Sequence, residues 1–287
     1  THIRNLKYHK EYRAVFSQMY DQLRKDKPDI IVHCGDLAHT KVNLSPEYFD
    51  LATNFLKNLA DIAPLIIIPG NHDGNLRNTA RQDAITPLVT ALDHPQIHLL
   101  RASGEFVWDD NLTFNVLSVF DTESWIKPTE KEKINIALYH GSISGCETSL
   151  GWVMEHGEND VSIFEGFDYA LLGDIHKTNQ SLDDEGRVRY VGSTVQQNHA
   201  EEMDKGYLLW TIENKDDFKV ELQTFQNPKP FITIELTPKG RVPRGTKVPK
   251  GARVRVVANT KLPVETIRKA TDVVRTRFKP ESLTFLN

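Results

Sequence analysis

The sequence predicts a mixed α/β protein, with two sheets packed face to face, helices outside them, and a small α+β domain after them. Two patterns and one boundary carry this. Short apolar runs at Ile30–Cys34, Leu65–Ile68, Ile134–Tyr139 and Phe167–Leu172 each break off in a polar cluster, and amphipathic segments accompany the first two. Strand, cluster, helix, strand, cluster is the cadence of a layered α/β protein, whose ligands gather where strands end. The boundary is Asn227-Pro228-Lys229-Pro230, a linker stiffened by its prolines between a domain at residues 1–226 and another at 231–287.

Taken in order, Tyr12, Val15, Phe16, Met19 and Leu23 fall at helical spacing and predict an amphipathic helix ending at Lys27-Pro28. Asp29–Cys34 follows as a short buried strand. Ser45-Pro46-Glu47 supplies a cap and a first-turn proline for a second helix through Phe49, Ala52, Leu56 and Leu59. Pro64–Pro69 is the next strand. Residues 97–100, 105–108 and 112–117 read as consecutive antiparallel strands, the last two joined at Asp109-Asp110-Asn111. Strands at 134–139, 167–172, 187–191, 206–212 and 218–225 complete the large domain. Beyond the linker come strands at 231–236 and 254–257 and a helix at about 263–278.

With 287 residues, 39% of them hydrophobic, the chain can bury a large core and a small one. No apolar run approaches the roughly 18 residues of a spanning helix, and the N-terminus has no signal-peptide pattern. A soluble protein, cytoplasmic or nucleoid-associated, with no membrane association is expected. Cys34 and Cys146 make no disulfide framework, which fits a reducing compartment. The start at Thr1 and the stop after Leu283–Leu286 suggest a chain cut from a longer protein. The net charge of −4 conceals a split: residues 231–287 carry 13 Lys+Arg against 4 Asp+Glu, leaving 22 against 35 for the remainder.

The chemistry lies in the polar clusters: Gly35-Asp36, Gly70-Asn71-His72-Asp73, His140-Gly141 and Gly173-Asp174-Ile175-His176. Taken singly, Gly35-Asp36 is an ordinary turn and His140 or His176 a satisfied histidine, whereas Gly70-Asn71-His72-Asp73 after an aliphatic run is much harder to dismiss. Four in succession at strand ends make a site the better explanation, because amide, imidazole and carboxylate groups need partners or an ion once desolvated. The donors are Asp36, Asn71, His140, Asp174 and His176, a mixed oxygen and nitrogen set without thiolate. Such a set suits two hard or borderline divalent ions, Mn²⁺ being a natural occupant and Mg²⁺ an alternative. Two ions on the order of 4 Å apart can clamp both oxygens of an in-line displacement at phosphorus, so phosphoester hydrolysis is the expected chemistry.

The order His2, Gly35-Asp36, Gly70-Asn71-His72-Asp73, His140-Gly141, Gly173-Asp174-Ile175-His176 resembles the calcineurin-like metallophosphoesterase superfamily over about residues 1–225. Within it, the chain is most similar to SbcD-type nuclease subunits of DNA double-strand-break repair. His39 stands three residues after Asp36, and Tyr190-Val191-Gly192-Ser193-Thr194 and Lys205-Gly206-Tyr207 match that family's strands. The small basic domain occupies the place of its DNA-capping domain. The resemblance implies a four-layer α-β-β-α sandwich, with His2, Asp36 and His176 on one metal and Asp36, Asn71, His140 and Asp174 on the other. It further implies that His72 acts at the scissile phosphate, that Asp73 orients the His72 imidazole, and that His39 places the substrate. An SMC-like ATPase of the SbcC type, DNA and a second copy of the chain are the implied partners. The chain departs from the pattern twice: the first-motif Asp would precede Thr1, and Asp174 stands where the family usually has histidine.

A basic tail on an acidic core suits a DNA nuclease, in which Arg241, Arg244, Lys247, Lys250, Arg253 and Arg255 can meet phosphates. A solvated, solubilising surface is the plainer reading of those charges. Two rivals remain at this point: a phosphomonoesterase or cyclic-nucleotide phosphodiesterase, and a weakly catalytic DNA-binding scaffold for the ATPase.

Overall fold

Residues 1–286 are described in the computed structural model. After a 3-10 turn at Leu6–Tyr8 comes helix α1 (His9–Asp26), whose stripe of Tyr12, Val15, Phe16, Met19 and Leu23 is buried as the spacing predicts. Strand β1 (Ile31–Cys34) leads to helix α2 (Pro46–Ala60). Ser45 caps α2, its Oγ accepting from the Tyr48 amide at 3.2 Å, and Pro46 opens it. Then follow β2 (Leu65–Ile68), α3 (Thr86–Leu92) and β3 (Ile97–Leu99), and β1, β2 and β3 form one parallel sheet in that order. Helix α3 escapes a sequence reading because seven residues with Leu88 alone buried leave no periodicity to detect.

The second sheet contains β4 (Gly104–Val107), β5 (Leu112–Leu117), β6 (Ile134–His140), β7 (Tyr169–Gly173), β8 (Gln180–Ser181) and β9 (Val188–Tyr190), ordered β4-β5-β6-β7-β9-β8. The hairpin of β4 and β5 is antiparallel, with Val107 opposite Thr113, whereas β5, β6, β7 and β9 run parallel. One expectation is corrected here. Residues 97–99 do not continue that antiparallel series but pair in parallel with β2 in the first sheet, Leu65 opposite Ile97. A three-residue apolar run reads alike in either setting, and the crossover through α3 decides it. An antiparallel ribbon of β10 (Gly206–Ile212) and β11 (Phe218–Thr224) completes the large unit.

Strand β2 explains the layering. Leu65 and Ile67 point to the helices, among Tyr12, Phe16, Phe55 and Leu56. Ile66 and Ile68 point the other way, among Phe114, Val116, Ile136, Leu138 and Tyr169 of the second sheet. Burial on both faces explains why β2 is wholly aliphatic, and each such side chain contributes about 1.5–3 kcal/mol. The far face of the second sheet carries Leu117, Ala137, Tyr139, Leu172 and Tyr190 against Ile143, Cys146 and Phe164. Those covering residues belong to loops and the 3-10 turn Val161–Phe164, so among the described residues this outer layer contains no α-helix.

The small unit contains β12 (Phe231–Glu235), β13 (Arg253–Val257), α4 (Val264–Phe278) and β14 (Ser282–Leu286). Its sheet is parallel, in the order β12-β13-β14, and Ile234, Val254, Val256, Ala270 and Val274 form its core. Two compact units result, Thr1–Val195 with Asp204–Phe225, and Gln196–Met203 with the residues from Gln226 onward. The excursion at Gln196–Met203 joins the small unit through a reciprocal pair of bonds. The Gln196 amide donates to the Phe231 carbonyl at 3.0 Å and accepts from the Phe231 amide at 2.8 Å.

Candidate metal centre

Four strands deliver the polar groups from one end. Asp36 lies two residues beyond β1, Asn71-His72-Asp73 follow β2, His140 ends β6, and Asp174 is the first residue after β7. The N-terminal residues run alongside the turn after β1: the His2 amide donates to the Asp36 carbonyl at 2.6 Å and the Ile3 amide to that of Leu37 at 2.8 Å. The Tyr12 hydroxyl fixes the His2 carbonyl at 2.7 Å. The turns are strained, with His2, Asp36 and Asp174 at φ of 61°, 55° and 92°. Such conformations cost about 1–3 kcal/mol each and persist where the surroundings enforce them. Two glycines make room: a Cβ on Gly70 would lie 2.6 Å from the His140 ring, and one on Gly173 would collide with the Cys34 carbonyl.

Two groups of ligand-bearing side chains result, each with its donor atoms within 4.8 Å of one another: Asp36, His140 and Asp174, and His2, His39 and His72. In the first, the His140 Nδ1–H donates to the Cys34 carbonyl at 2.7 Å, which leaves Nε2 facing inward. Nε2 lies 3.3 Å from Asp36 Oδ1 and 3.8 Å from Asp174 Oδ1, near enough for attraction but without the alignment of a hydrogen bond. The Asn71 side-chain amide donates to Asp174 Oδ1 at 3.4 Å, while its own Oδ1 is buried and unpaired. His176 Nε2 lies 3.2 Å from His2 Nδ1, and the other nitrogen of His2 lies 2.9 Å from His39 Nδ1.

The electrostatics match. Burial disfavours the His140 imidazolium, yet the Asp36 carboxylate outweighs it and lifts His140 to about 9. Burial likewise works against charge on Asp36, but His140 holds that carboxyl below its ordinary range. Asp174 is raised, chiefly by burial. His2 is pushed down to about 2 by burial, so its ring is neutral and one of its nitrogens carries a lone pair. Two converging carboxylates, Asp36 buried and Asp174 half-buried, with an unaligned imidazole nitrogen beside them and an unpaired amide oxygen on Asn71, fit a divalent cation.

Asp73 corrects the role expected of it. Its carboxylate does not reach the His72 imidazole; it accepts from the amides of Leu37 at 3.3 Å, Ala38 at 2.9 Å and Gly70 at 2.9 Å, pinning the turns after β1 and β2 together. Burial raises its pKa to about 6. The His72 ring is oriented instead by the His39 carbonyl, which accepts its Nδ1–H at 2.8 Å. Asp73 is fully buried, where three backbone amides claim its carboxylate, whereas His72 is half-buried.

Sequence reasoning misses three supporting groups. Lys41 ties down the turn through the carbonyls of Asn71 at 3.1 Å and Gly74 at 2.6 Å, and no pattern announces it. The Cys34 carbonyl is backbone, invisible to residue type. Lys205 stands in the sequence only as part of a strand motif, yet its buried ammonium donates to the His176 carbonyl at 2.7 Å.

Of the six basic residues singled out, Arg241, Arg244, Lys247 and Lys250 are exposed on the loop between β12 and β13. The other two are engaged within the small unit. The Arg253 guanidinium lies 4.8 Å from the Phe231 ring centre and donates to the Lys229 carbonyl at 2.9 Å. Arg255 donates to the His199 carbonyl at 3.3 Å. Among the described residues no helix is long and apolar enough to cross a membrane.

A family model described as calcineurin-like phosphoesterase matches residues 1–207. Among curated proteins, uncharacterized protein R555 of Acanthamoeba polyphaga mimivirus is 35% identical over 271 residues, covering 89% of this chain and 20% of that protein. The SbcD component of the SbcCD nuclease of Staphylococcus epidermidis is 26% identical over 266 residues, covering 79% of this chain and 66% of the relative. DNA double-strand break repair protein Mre11 of Saccharolobus solfataricus is 26% identical over 188 residues, covering 62% and 47% respectively. The chain thus spans a fifth of the first relative, just under two thirds of the second and about half of the third.

Proposed function

The chain belongs to the calcineurin-like phosphoesterase family, and from that premise we propose that it is a two-metal DNA nuclease subunit acting in repair or recombination. The observation that supports this most is the convergence of Asp36, His140 and Asp174, with Asn71 bonded to Asp174 and its own Oδ1 unpaired, beside a group of His2, His39 and His72. A cation pair held by His2, Asp36, Asn71, His140, Asp174 and His176, with Mn²⁺ preferred and Mg²⁺ accepted, would supply Lewis acidity and an activated water at phosphorus.

The protein's own groups do the rest. His72 is held at Nδ1 by the His39 carbonyl, so its Nε2 is free to meet a phosphate oxygen or to protonate the leaving oxygen. His39, exposed at the rim, helps to place the phosphate. Asp73 holds the two turns in register, and Lys205 holds the His176 segment. Arg241, Arg244, Lys247 and Lys250 would contribute salt-sensitive phosphate contacts.

The relatives named as SbcCD and Mre11 proteins favour DNA as the substrate and an SMC-like ATPase as partner; a homodimer is what the resemblance to SbcD-type subunits adds. The decisive comparison sets linear duplex and single-stranded DNA beside a phosphomonoester and a cyclic nucleotide, each with Mn²⁺. DNA cleavage supports the proposal, and turnover confined to the small esters favours the rival reading.

A further inference from the structure

The long loop at residues 141–160 leaves β6 directly after His140 and carries a hairpin that the metal centre does not use. The Met154 amide donates to the Cys146 carbonyl at 2.7 Å, the Gly145 amide to that of Met154 at 2.8 Å, and the Thr148 amide to that of Trp152 at 2.8 Å. Glu147 and Val153 form an antiparallel bridge between the two arms. Ser149-Leu150-Gly151 closes the tip, with Gly151 at φ 79°, where a three-residue hairpin loop places a left-handed residue. The hairpin is anchored to the segment after His176. The Gln180 side-chain amide donates to the Glu147 carbonyl at 3.0 Å and accepts from the Glu147 amide, while the Glu147 carboxylate pairs with Lys177. Strands β6 and β7 are neighbours, with His140 opposite Gly173, so both attachments lie at the end of the sheet that carries the metal ligands.

The tip is apolar and open to solvent. Leu150, Trp152 and Val153 are 67%, 74% and 59% exposed, and among the described residues no other four-residue stretch exposes three large apolar side chains. No side chain at residues 148–154 is charged. Single exposed apolar residues are ordinary, but a cluster of them on a braced hairpin marks a binding surface. An indole presents a flat face at little entropic cost, because only two torsions have to be fixed. Unpaired bases stack on such faces, and an uncharged tip suits bases better than phosphates. A strand held at the metal centre must lay its neighbouring nucleotides along the rim from which the hairpin rises. We propose that Trp152 stacks on an unpaired base beside the scissile phosphate and so directs cleavage towards single-stranded or frayed DNA. This stacking role rests on the nuclease reading above and names the side chain that senses whether the bases are paired.

The test is fluorescence anisotropy of labelled single-stranded and blunt duplex oligonucleotides, in chelator so that neither is cut, with the whole chain and three variants. Trp152→Ala should weaken single-strand binding about fivefold to 150-fold, the usual worth of one stacked base, and duplex binding by less than about twofold. Trp152→Tyr should bind single strands nearly as the parent does, and Trp152→Leu as Trp152→Ala does, because stacking needs a π face rather than apolar bulk. With manganese restored, KM for single-stranded DNA should rise in the same order. Parental affinity in Trp152→Ala overturns the stacking role. Rescue by leucine as full as by tyrosine also overturns it and marks the tip as an apolar surface for a protein. A fall in hydrolysis of a small phosphodiester equal to that for DNA would put the defect in the metal centre and overturn it as well. If no DNA is cut while single strands still bind in the order parent, tyrosine, then leucine and alanine, the nuclease reading fails and the stacking role stands.

Discussion

The His72 imidazole donates its Nδ1–H to the main-chain carbonyl of His39, 2.8 Å away. A backbone acceptor sets the tautomer without placing a charge beside the ring, and His72 is left with a basic Nε2 at the entrance of the site.

His72→Ala should therefore reduce phosphodiester turnover by about 10²–10⁴-fold, the usual worth of a positioned acid or base. Manganese bound to the buried set should be unchanged. Full activity in the purified, metal-loaded variant, measured beside metal content, would remove His72 from the role proposed for it.

Asp73→Ala acts through the backbone. The substitution leaves the amides of Leu37, Ala38 and Gly70 buried without their acceptor. At about 1–3 kcal/mol for each unsatisfied group, a loss of several kcal/mol in urea unfolding is expected. A loss below about 1 kcal/mol would contradict the role of Asp73 as the clasp between the two turns.

Metal should stabilise the fold through His140. Mn²⁺ at a hundred times its dissociation constant adds about 2.7 kcal/mol and raises the thermal midpoint, and chelation reverses the gain. The gain should vanish in Gly70→Ala, because the new Cβ would lie 2.6 Å from the His140 ring. An undiminished manganese-dependent shift in that variant would place the ion elsewhere.

The basic loop predicts a graded response. Removing one of Arg241, Arg244, Lys247 or Lys250 should weaken DNA binding and lower the slope of log affinity against log salt by about 0.9 for each phosphate no longer neutralised. Arg253→Ala should instead destabilise the small unit, because its guanidinium stacks on Phe231. Fluorescence anisotropy across a salt series, beside thermal melts, separates the two outcomes; equal salt slopes in all the variants would show that the loop does not meet DNA.

Much of the fold is legible in the sequence because its signals are local. The aliphatic run of β2, the Ser45-Pro46 cap and the stripe of α1 each declare themselves within a few residues. The partner of β3 is not legible, since three apolar residues do not reveal which sheet they join. The same division holds at the site. Asp36, Asn71, His140 and Asp174 stand out as polar groups closing apolar strands. The direction of the Asp73 carboxylate depends on amides 36 and 35 residues away, at Leu37 and Ala38, and on the amide of Gly70. Residue type tells what can be offered, and tertiary packing decides to whom.

Cleavage of end-labelled linear DNA by the parent chain and by Asp36→Asn, each with Mn²⁺ and with chelator, bears most directly on the two-metal nuclease reading. Asp36 lies in the buried group with His140 and Asp174 and also accepts the His72 amide at 3.0 Å, so it joins both halves of the site. The account predicts manganese-dependent cleavage by the parent, abolished by chelator and reduced to background in a folded Asp36→Asn. Cleavage that persists in chelator, or that Asp36→Asn retains in full, would contradict it.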